Sequence, residues 1–419
     1  MIDFDIESFV RKYMTRRAES LLAADFEKCR DEMHRRIDGK RMLVIGGAGT
    51  IGSNYVKAAL RRFHPSAMYV VDIDENSLTE LTRELRAGEG YNVPDEYVTE
   101  PIDLGSDLFD RFFKTKGLFD IVANFAARKH VRAERDVFSI EAMCETNVFM
   151  AKKLLDLLLD NPPEAFFCVS TDKAANPVNV MGATKKLMEE TIMAYSDRLP
   201  IKTARFANVA FSNGSLPIGW LNRIQKKQPL SCPLGIRRFF VSPIESGELC
   251  LFASVMAESG DIVYPKLDPE RDMIPFDSVV KDMLNDMGLG CKACTSSEEA
   301  KAVISEWLGK SKVPFPVPRS PFPTTGYPCE FFGSDTSGEK PFEEFYTDTD
   351  VKDETTFINL GAVKNSKKRP VAEVEAIFSS LRSVFARKDA TKTDVVAVLK
   401  DYLPNFQHIE KGKSLDSRM

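Results

Sequence analysis

With 419 residues, 43% of them hydrophobic and 28% charged, the chain has material for a sizeable core and the composition of an ordinary globular protein. A net charge of −5 and a pI near 5.7 argue against nucleic acid as a partner. No apolar run reaches the ~18 residues of a membrane span, the opening MIDFDIESFVRKY has no signal-peptide core, and eight cysteines without framework spacing point to reduced thiols. A cytoplasmic protein with no integral membrane segment is expected.

Residues 1–40 read as an N-terminal helical extension. Ile6, Phe9, Val10 and Tyr13 recur at helical spacing, and such a helix would pack on the main body or on a neighbouring subunit. Met42–Ile45 predicts a strand and Ser53–Arg62 a helix. Between them lies a turn in which Gly46, Gly49 and Gly52 recur every three residues, with Thr50 and Ile51 inside it. Such glycines allow a tight turn and close backbone approach to a pyrophosphate, and the helix-end N–H groups face the anion. Asp72 closes the next strand, Met68–Val71, about twenty residues past the last glycine. A carboxylate there accepts bonds from the adenosine ribose hydroxyls and repels a 2′-phosphate, and no arginine follows in Ile73-Asp74-Glu75. Strand, turn, helix and acid together predict a dinucleotide site, for NAD in preference to NADP.

A third strand is expected over Val98–Ile102, ending at Asp103, and a fourth over Asp120–Phe125. The small Ala126 and Ala127 that follow let the backbone lie against a cofactor; Arg128, Lys129 and His130 come next. Four histidines in the chain, none with a second ligand at metal spacing, give no metal site. A helix is read from Glu145. The apolar run Ala165–Val169 leads into Ser170-Thr171-Asp172-Lys173. This sets an acid and a base side by side at a strand's carboxyl end, where open α/β sheets bind ligands. Met181 opens another helix, which carries Lys185. Lys202–Val209 reads as a sixth strand and Asp261–Lys266 as a further one. Cys291-Lys292-Ala293-Cys294 is a lone C-x-x-C and receives no metal or redox role. Residues 311–330, rich in proline, read as a loop or lid. Val371, Val374, Ile377, Leu381 and Val384 predict a packing helix, with a second after Thr393 and a polar tail from Glu410.

These stretches resemble the extended short-chain dehydrogenase/reductases. Within them the match is to the nucleotide-sugar 4,6-dehydratase branch, the polysaccharide-biosynthesis proteins acting on UDP-N-acetylglucosamine. The resemblance rests on the glycine turn, on Ala126–Val131 (similar to Ala-Ala-x-Lys-His-Val), on Ser170–Lys173, on Arg205-Phe206-Ala207-Asn208-Val209, on Ile236–Phe240 and on Ser337–Glu344. It covers about residues 41–270 and a short piece near 340. It implies an α/β fold, a Rossmann-type doubly wound parallel sheet, with the NAD-binding domain over 41–210. A smaller substrate-binding region over 211–365 would return strands to that sheet, and 366–419 would supply C-terminal helices and tail.

The same resemblance implies roles for single residues. Asp103 would hydrogen-bond adenine, Lys129 and His130 would border the sugar or diphosphate, and Asn208 and Arg238 would lie on the diphosphate side. Asn147 would be a helix-bending group, and 337–344 would lie near the nucleotide pocket. Lys173 would be the base at C5, Asp172 the acid at the C6 hydroxyl, with Thr171 beside them and Lys185 orienting the nicotinamide ribose. The family's usual tyrosine, four residues before that lysine, is Met181 here. A thioether takes no proton from a hydroxyl, so the base at the C4 hydroxyl is left among Thr171 linked to Lys185, a water, and Asp172. A homo-oligomer is implied, through helices flanking the active site. The expected function is NAD-dependent 4,6-dehydration of a nucleotide sugar, UDP-N-acetylglucosamine first. The alternatives are a 4-epimerase, disfavoured by the Asp-Lys pair and the missing tyrosine; a dehydratase stopping at a 5,6-ene; and a non-catalytic nucleotide-sugar or NAD-binding protein.

Overall fold

The computed structural model describes residues 4–131, 134–310, 326–333, 340 and 342–410. Its strands are β1 (Arg41–Ile45), β2 (Ala67–Val71), β3 (Glu96–Glu100), β4 (Ile121–Asn124), β5 (Ala165–Val169), β6 (Ile201–Ala204), β7 (Asn208–Val209) and β8 (Leu230–Leu234). They continue as β9 (Arg237–Val241), β10 (Ile262–Pro265), β11 (Met273–Pro275), β12 (Cys291–Cys294), β13 (Tyr327–Gly333), β14 (Lys352–Asp353) and β15 (Leu360–Val363). Nine of them form one sheet in the order β14-β15-β10-β6-β5-β4-β1-β2-β3. From β10 to β3 every pairing is parallel, while β15 and β14 add antiparallel strands at one edge. The fold is therefore α/β with a doubly wound parallel sheet. β2 and β5 are buried along their whole length, as strands covered on both faces must be. From β1 the chain runs outward to β2 and β3, then returns to β4 on the other side. That reversal opens a crevice at the carboxyl ends of β1 and β4.

The largest apolar cluster lies on both faces of this sheet. Within it the helix Pro243–Met256 packs on the helix Thr50–Arg62 so closely that a Cβ on Gly247 would meet the Asn54 carbonyl oxygen at 2.2 Å. A second cluster joins Phe9, Val10 and Met14 to Trp220, Phe240 and Phe276. It sits among two small sheets, β11-β9-β7 and β12-β13-β8. A third joins Val180, Met181, Ala183 and Leu187 to Val374, Ile377, Leu381 and Leu399, so the C-terminal helices Val371–Phe385 and Lys392–Tyr402 cover the helix Val180–Met193.

Several boundaries differ from the sequence reading. The N-terminal extension is broken rather than a single helix: Ile6–Phe9 passes into a π turn, Val10–Thr15, that ends at Arg16 in the left-handed region (φ 55°), and two short helices follow, Ala23–Lys28 and Arg30–Ile37. Its front end joins the second cluster, while Leu22, Phe26, Met33 and Ile37 join the first. The helix read from Glu145 begins at Val137, capped by Asp136, and Glu145–Phe149 is a π turn within it. The sixth strand splits. β6 stays in the main sheet, and Asn208–Val209 leaves it to pair with β9, carrying the chain from the sheet into the smaller region. The third strand lies two residues earlier than expected, at Glu96–Glu100. The proposed loop falls largely outside the described residues, as do 337–339, 341 and the tail beyond Glu410.

Candidate active site

The crevice at the end of β1 is a cleft of about 360 Å³. Its floor is the glycine turn. A Cβ on Gly46 would meet the Ala126 amide nitrogen at 2.5 Å, and one on Gly52 would meet the Gly46 carbonyl oxygen at 2.3 Å, so both glycines are required by the protein's own packing. Gly49 is different. A Cβ there would meet only the Gly46 oxygen, at 3.6 Å, and Gly49 lines the cleft. It is also the N-cap of the helix Thr50–Arg62 and provides no side-chain cap, so the helix's first N–H groups are open to a ligand at this end. Thr50, Ile51 and Gly52 share this wall, and the Thr50 hydroxyl accepts a hydrogen bond from the Asn213 amide at 3.1 Å.

Asp72 stands behind the turn. Its carboxylate accepts from the Ala48 amide at 2.9 Å and from the Asp74 amide at 3.1 Å. Asp103 is exposed and accepts from the Gly105 amide, and Ala126 donates to the Asn124 side chain. None of these three lines the cleft.

At the opposite wall, β5 delivers Thr171 and Lys173. Asp172 turns inward, 4% exposed, and one of its oxygens accepts three bonds: from the Thr171 hydroxyl (2.8 Å), the Lys173 amide (2.9 Å) and the Lys173 ammonium (3.0 Å). The Lys173 nitrogen also lies 3.4 Å from the Asn208 side-chain oxygen, so Asn208 meets the lysine. The split of the sixth strand is what turns Asn208 toward it. Lys185 is buried and donates to the Val169 carbonyl at 3.0 Å. Burial pulls its ammonium below the usual lysine range, against the opposing pull of Cys168 and Glu189. Met181 lines the same wall, one helical turn before Lys185.

Lys129 and His130 border the cleft from the loop after β4. The Lys129 side chain is open to the cleft, yet the walls around its ammonium desolvate it and lower its proton affinity. The His130 ring packs on Gly214, where a Cβ would approach it to 2.4 Å. Asn147, in the π turn, holds this loop in place: its side chain accepts from the Arg128 amide, donates to the Arg128 carbonyl and donates to the Thr184 hydroxyl. π turns recur at functional sites. Arg238 is buried off the cleft wall and donates to the Arg237 carbonyl.

Two features of the segments named by the sequence reading were not read from it: the pairing of Arg205 and the burial of Glu343. Ser170 donates to Glu189, which is fully buried in a bidentate pair with Arg205; Arg205 in turn donates to the Phe345 carbonyl. The signal was available as charges set in otherwise apolar stretches. Glu343 is the second feature, 5% exposed, and acted on by the charges of Lys173, Asp172 and Arg238. Behind the helix that carries Met181, Glu134, His408 and Glu410 converge. Lys392 lies 3.1 Å from Glu134, and Glu134 accepts from the Val180 amide, so this is an ion cluster that ties the chain's end to the start of the helix bearing Met181.

The family described as polysaccharide biosynthesis protein matches residues 42–303, over half of the chain and spanning both walls of the cleft. The chain belongs to that family. It is 36% identical over 251 residues to an uncharacterized membrane protein of Methanocaldococcus jannaschii, a match covering 58% of this chain and 72% of that one. It is 25% identical to a UDP-N-acetylglucosamine 4,6-dehydratase (inverting) of Campylobacter jejuni, over 55% of this chain and 68% of that one. It is 33% identical to a UDP-glucose 4-epimerase of Rickettsia massiliae, over 54% and 66%. Among solved structures, Pen from Bacillus thuringiensis shares the fold with a TM-score of 0.61 at 21% identity, covering 80% of this chain and 90% of that one. Among the described residues no helix is long and apolar enough to cross a membrane.

Proposed function

We propose that this family member is an NAD-dependent nucleotide-sugar 4,6-dehydratase acting on UDP-N-acetylglucosamine and giving a 4-keto-6-deoxy sugar nucleotide. The observation that carries the reading is the Asp172–Lys173 pair, 3.0 Å apart, on the wall facing the glycine turn. The uncapped helix end and the bare Gly49 suit a dinucleotide diphosphate, and Asp72 at the end of β2 favours NAD over NADP. Removal of hydride from C4 and its return at C6 is the chemistry the dinucleotide supplies when bound.

The chain's own groups then have to move two protons. Met181 takes none. The Thr171 hydroxyl, already donating to Asp172, offers the C4 hydroxyl proton a path to that carboxylate. Asp172, so protonated, is ready to give the same proton to the C6 hydroxyl, which leaves as water. Lys173, as the free amine, takes the C5 proton made acidic by the C4 ketone and returns it to C5. The net change is loss of one water. Each transfer is of the kind worth ~10²–10⁴-fold in rate. Lys185 and Lys129, which both line the cleft, would hold the ribose and the sugar diphosphate, respectively.

A second reading, 4-epimerisation, is favoured by the likeness to the Rickettsia protein. Mass spectrometry of UDP-N-acetylglucosamine after incubation separates the two: dehydration removes 18 Da of water, whereas epimerisation leaves the mass unchanged. Lys173→Ala is expected to abolish the dehydrated product while bound cofactor is retained. Turnover within tenfold of the parent would overturn the assignment of Lys173.

A further inference from the structure

Beyond residue 303, where the family match ends, the chain comes back to the sugar wall from behind. After the helix Lys392–Tyr402, Leu403 and Phe406 are buried in the third cluster together with Val180 and Met181. The Gln407 and Ile409 amides then donate to the Pro177 and Val178 carbonyls at 3.1 and 2.9 Å. His408, between them, donates through Nε2 to one oxygen of the Glu134 carboxylate. The Lys392 ammonium lies 3.1 Å from that same oxygen, and the other accepts from the Val180 amide at 2.7 Å. Both side chains are shut away from water, Glu134 at 7% and His408 at 9% exposure. Burial alone would raise the proton affinity of Glu134. His408, the Val180 amide and Lys392 outweigh it, so the carboxyl is held below the usual glutamate range, as an anion at the start of a helix.

Glu134 follows His130 by four residues, on the loop after β4 that also brings Lys129 to the cleft. Pro177–Val180 connect Lys173 to Met181, and so to the helix of Lys185. One carboxylate therefore spans the two loops that border this side of the cleft. Neither Glu134 nor His408 lines the cleft itself, so any effect on chemistry passes through the groups they hold. We propose that 403–410 is a positioning strap for the sugar wall, and that Glu134, held by His408 and Lys392, is the positioning residue through which it sets the spacing of Lys129 and His130 from Lys173. The proposal rests on the dehydratase reading for the rate it changes, and on the hydrogen bonds alone for the geometry. A displacement of ~1 Å at a reacting group can cost about 10²-fold in rate, even when its source is remote from the chemistry.

The test is made on the full-length, NAD-loaded protein with UDP-N-acetylglucosamine. His408→Ala and Glu134→Leu each remove the tie, and each is expected to lower kcat about tenfold or more, with NAD affinity changed less than about threefold. Glu134→Gln still accepts from the Val180 amide and is expected to keep kcat within about threefold of the parent. Leu158→Ala is the stability control. Leu158 is buried at the end of the helix Met150–Asp160 that feeds the start of β5, the sheet edge opposite the cleft. Its cavity is expected to lower the urea midpoint at least as far as His408→Ala does, with kcat within about twofold. A kcat within about twofold of the parent in His408→Ala, or an equal loss in Leu158→Ala, would overturn the proposal. Hydrogen exchange followed by mass spectrometry needs no turnover. In His408→Ala, residues 126–131 and 174–181 are both expected to exchange at least about fivefold faster than in the parent, with 41–45 unchanged. Unchanged protection in either segment overturns the proposal. Should the parent make no dehydrated sugar, the dehydratase reading fails while the exchange rates still decide the role of the strap.

Discussion

The two walls of the cleft are built in different ways. The wall at the glycine turn, the nucleotide wall of the proposed dehydratase, comes from one stretch, Gly46 to Gly52, and is held by backbone fit: Gly46 and Gly52 leave no room for a Cβ against main-chain atoms of Ala126 and of Gly46 itself. The facing wall, the sugar wall of the proposed dehydratase, is assembled from the end of β5, the helix Val180–Met193, β7 and β9, drawn from positions about 70 residues apart, and is held by buried charge. A wall made by one segment tolerates change elsewhere in the chain but no side chain within the turn. A wall made by distant segments depends on a few polar ties, each of which joins several of them.

The largest expected effect follows from the chief tie. Arg205→Met leaves Glu189 buried without its partner and releases the Phe345 carbonyl. Breaking a buried pair from one side costs about 3–5 kcal/mol, to be read from urea unfolding. The double variant Arg205→Met/Glu189→Leu is expected to recover most of that loss, because it removes both charges together. A loss under ~1 kcal/mol in the single variant would mean that the sugar wall is held by packing and not by buried charge, and the contrast with the nucleotide wall would collapse.

A smaller effect sharpens the other side. Gly52→Ala drives a methyl into the Gly46 carbonyl oxygen and is expected to cost about 1–3 kcal/mol through backbone displacement. Gly49→Ala meets nothing closer than 3.6 Å, and its φ of −67° is ordinary, so stability is expected to change by less than ~0.5 kcal/mol. Its methyl would stand where a diphosphate approaches, so dinucleotide affinity is expected to fall at least about tenfold while the fold is intact, a loss of about 1.4 kcal/mol. Calorimetric titration with NAD on both variants separates packing glycines from the one that leaves room for a ligand.

The same contrast explains what was legible in the sequence. The glycine turn, β5 and the pair at its end were readable because each depends on neighbours within a few residues. Asn208 was recognised as part of a motif, yet its contact with Lys173 follows from the chain leaving the main sheet after Ala204, a tertiary event. Glu189 and Glu190 lie on a helix of which all but one residue is buried. Amphipathic reasoning would have put both outside, but Arg205 and Arg369, 16 and 179 residues away, neutralise them inside. The break in the N-terminal extension turns on Arg16 adopting a left-handed conformation, which no glycine or asparagine announced.

Lys202 provides the gentlest test, on the sheet that carries both walls. It lies in β6, is buried, and donates to the Ser254 carbonyl at 3.0 Å. Burial, with the charge of Arg36, lowers its proton affinity from 10.5 to about 8, and Asp261 only partly offsets this. Between those two values the unfolded chain binds more protons than the folded one, so this group's contribution to stability rises with pH across that window. Below about 8 both states carry the charge, and its cost is present in full. Lys202→Met has no such charge. The difference in unfolding free energy between it and the parent is therefore expected to move in the parent's favour by about 2 kcal/mol from pH 7 to pH 10. A difference that stays flat would place the Lys202 ammonium in water, and would mean that the buried charges described here are confined to the sugar wall.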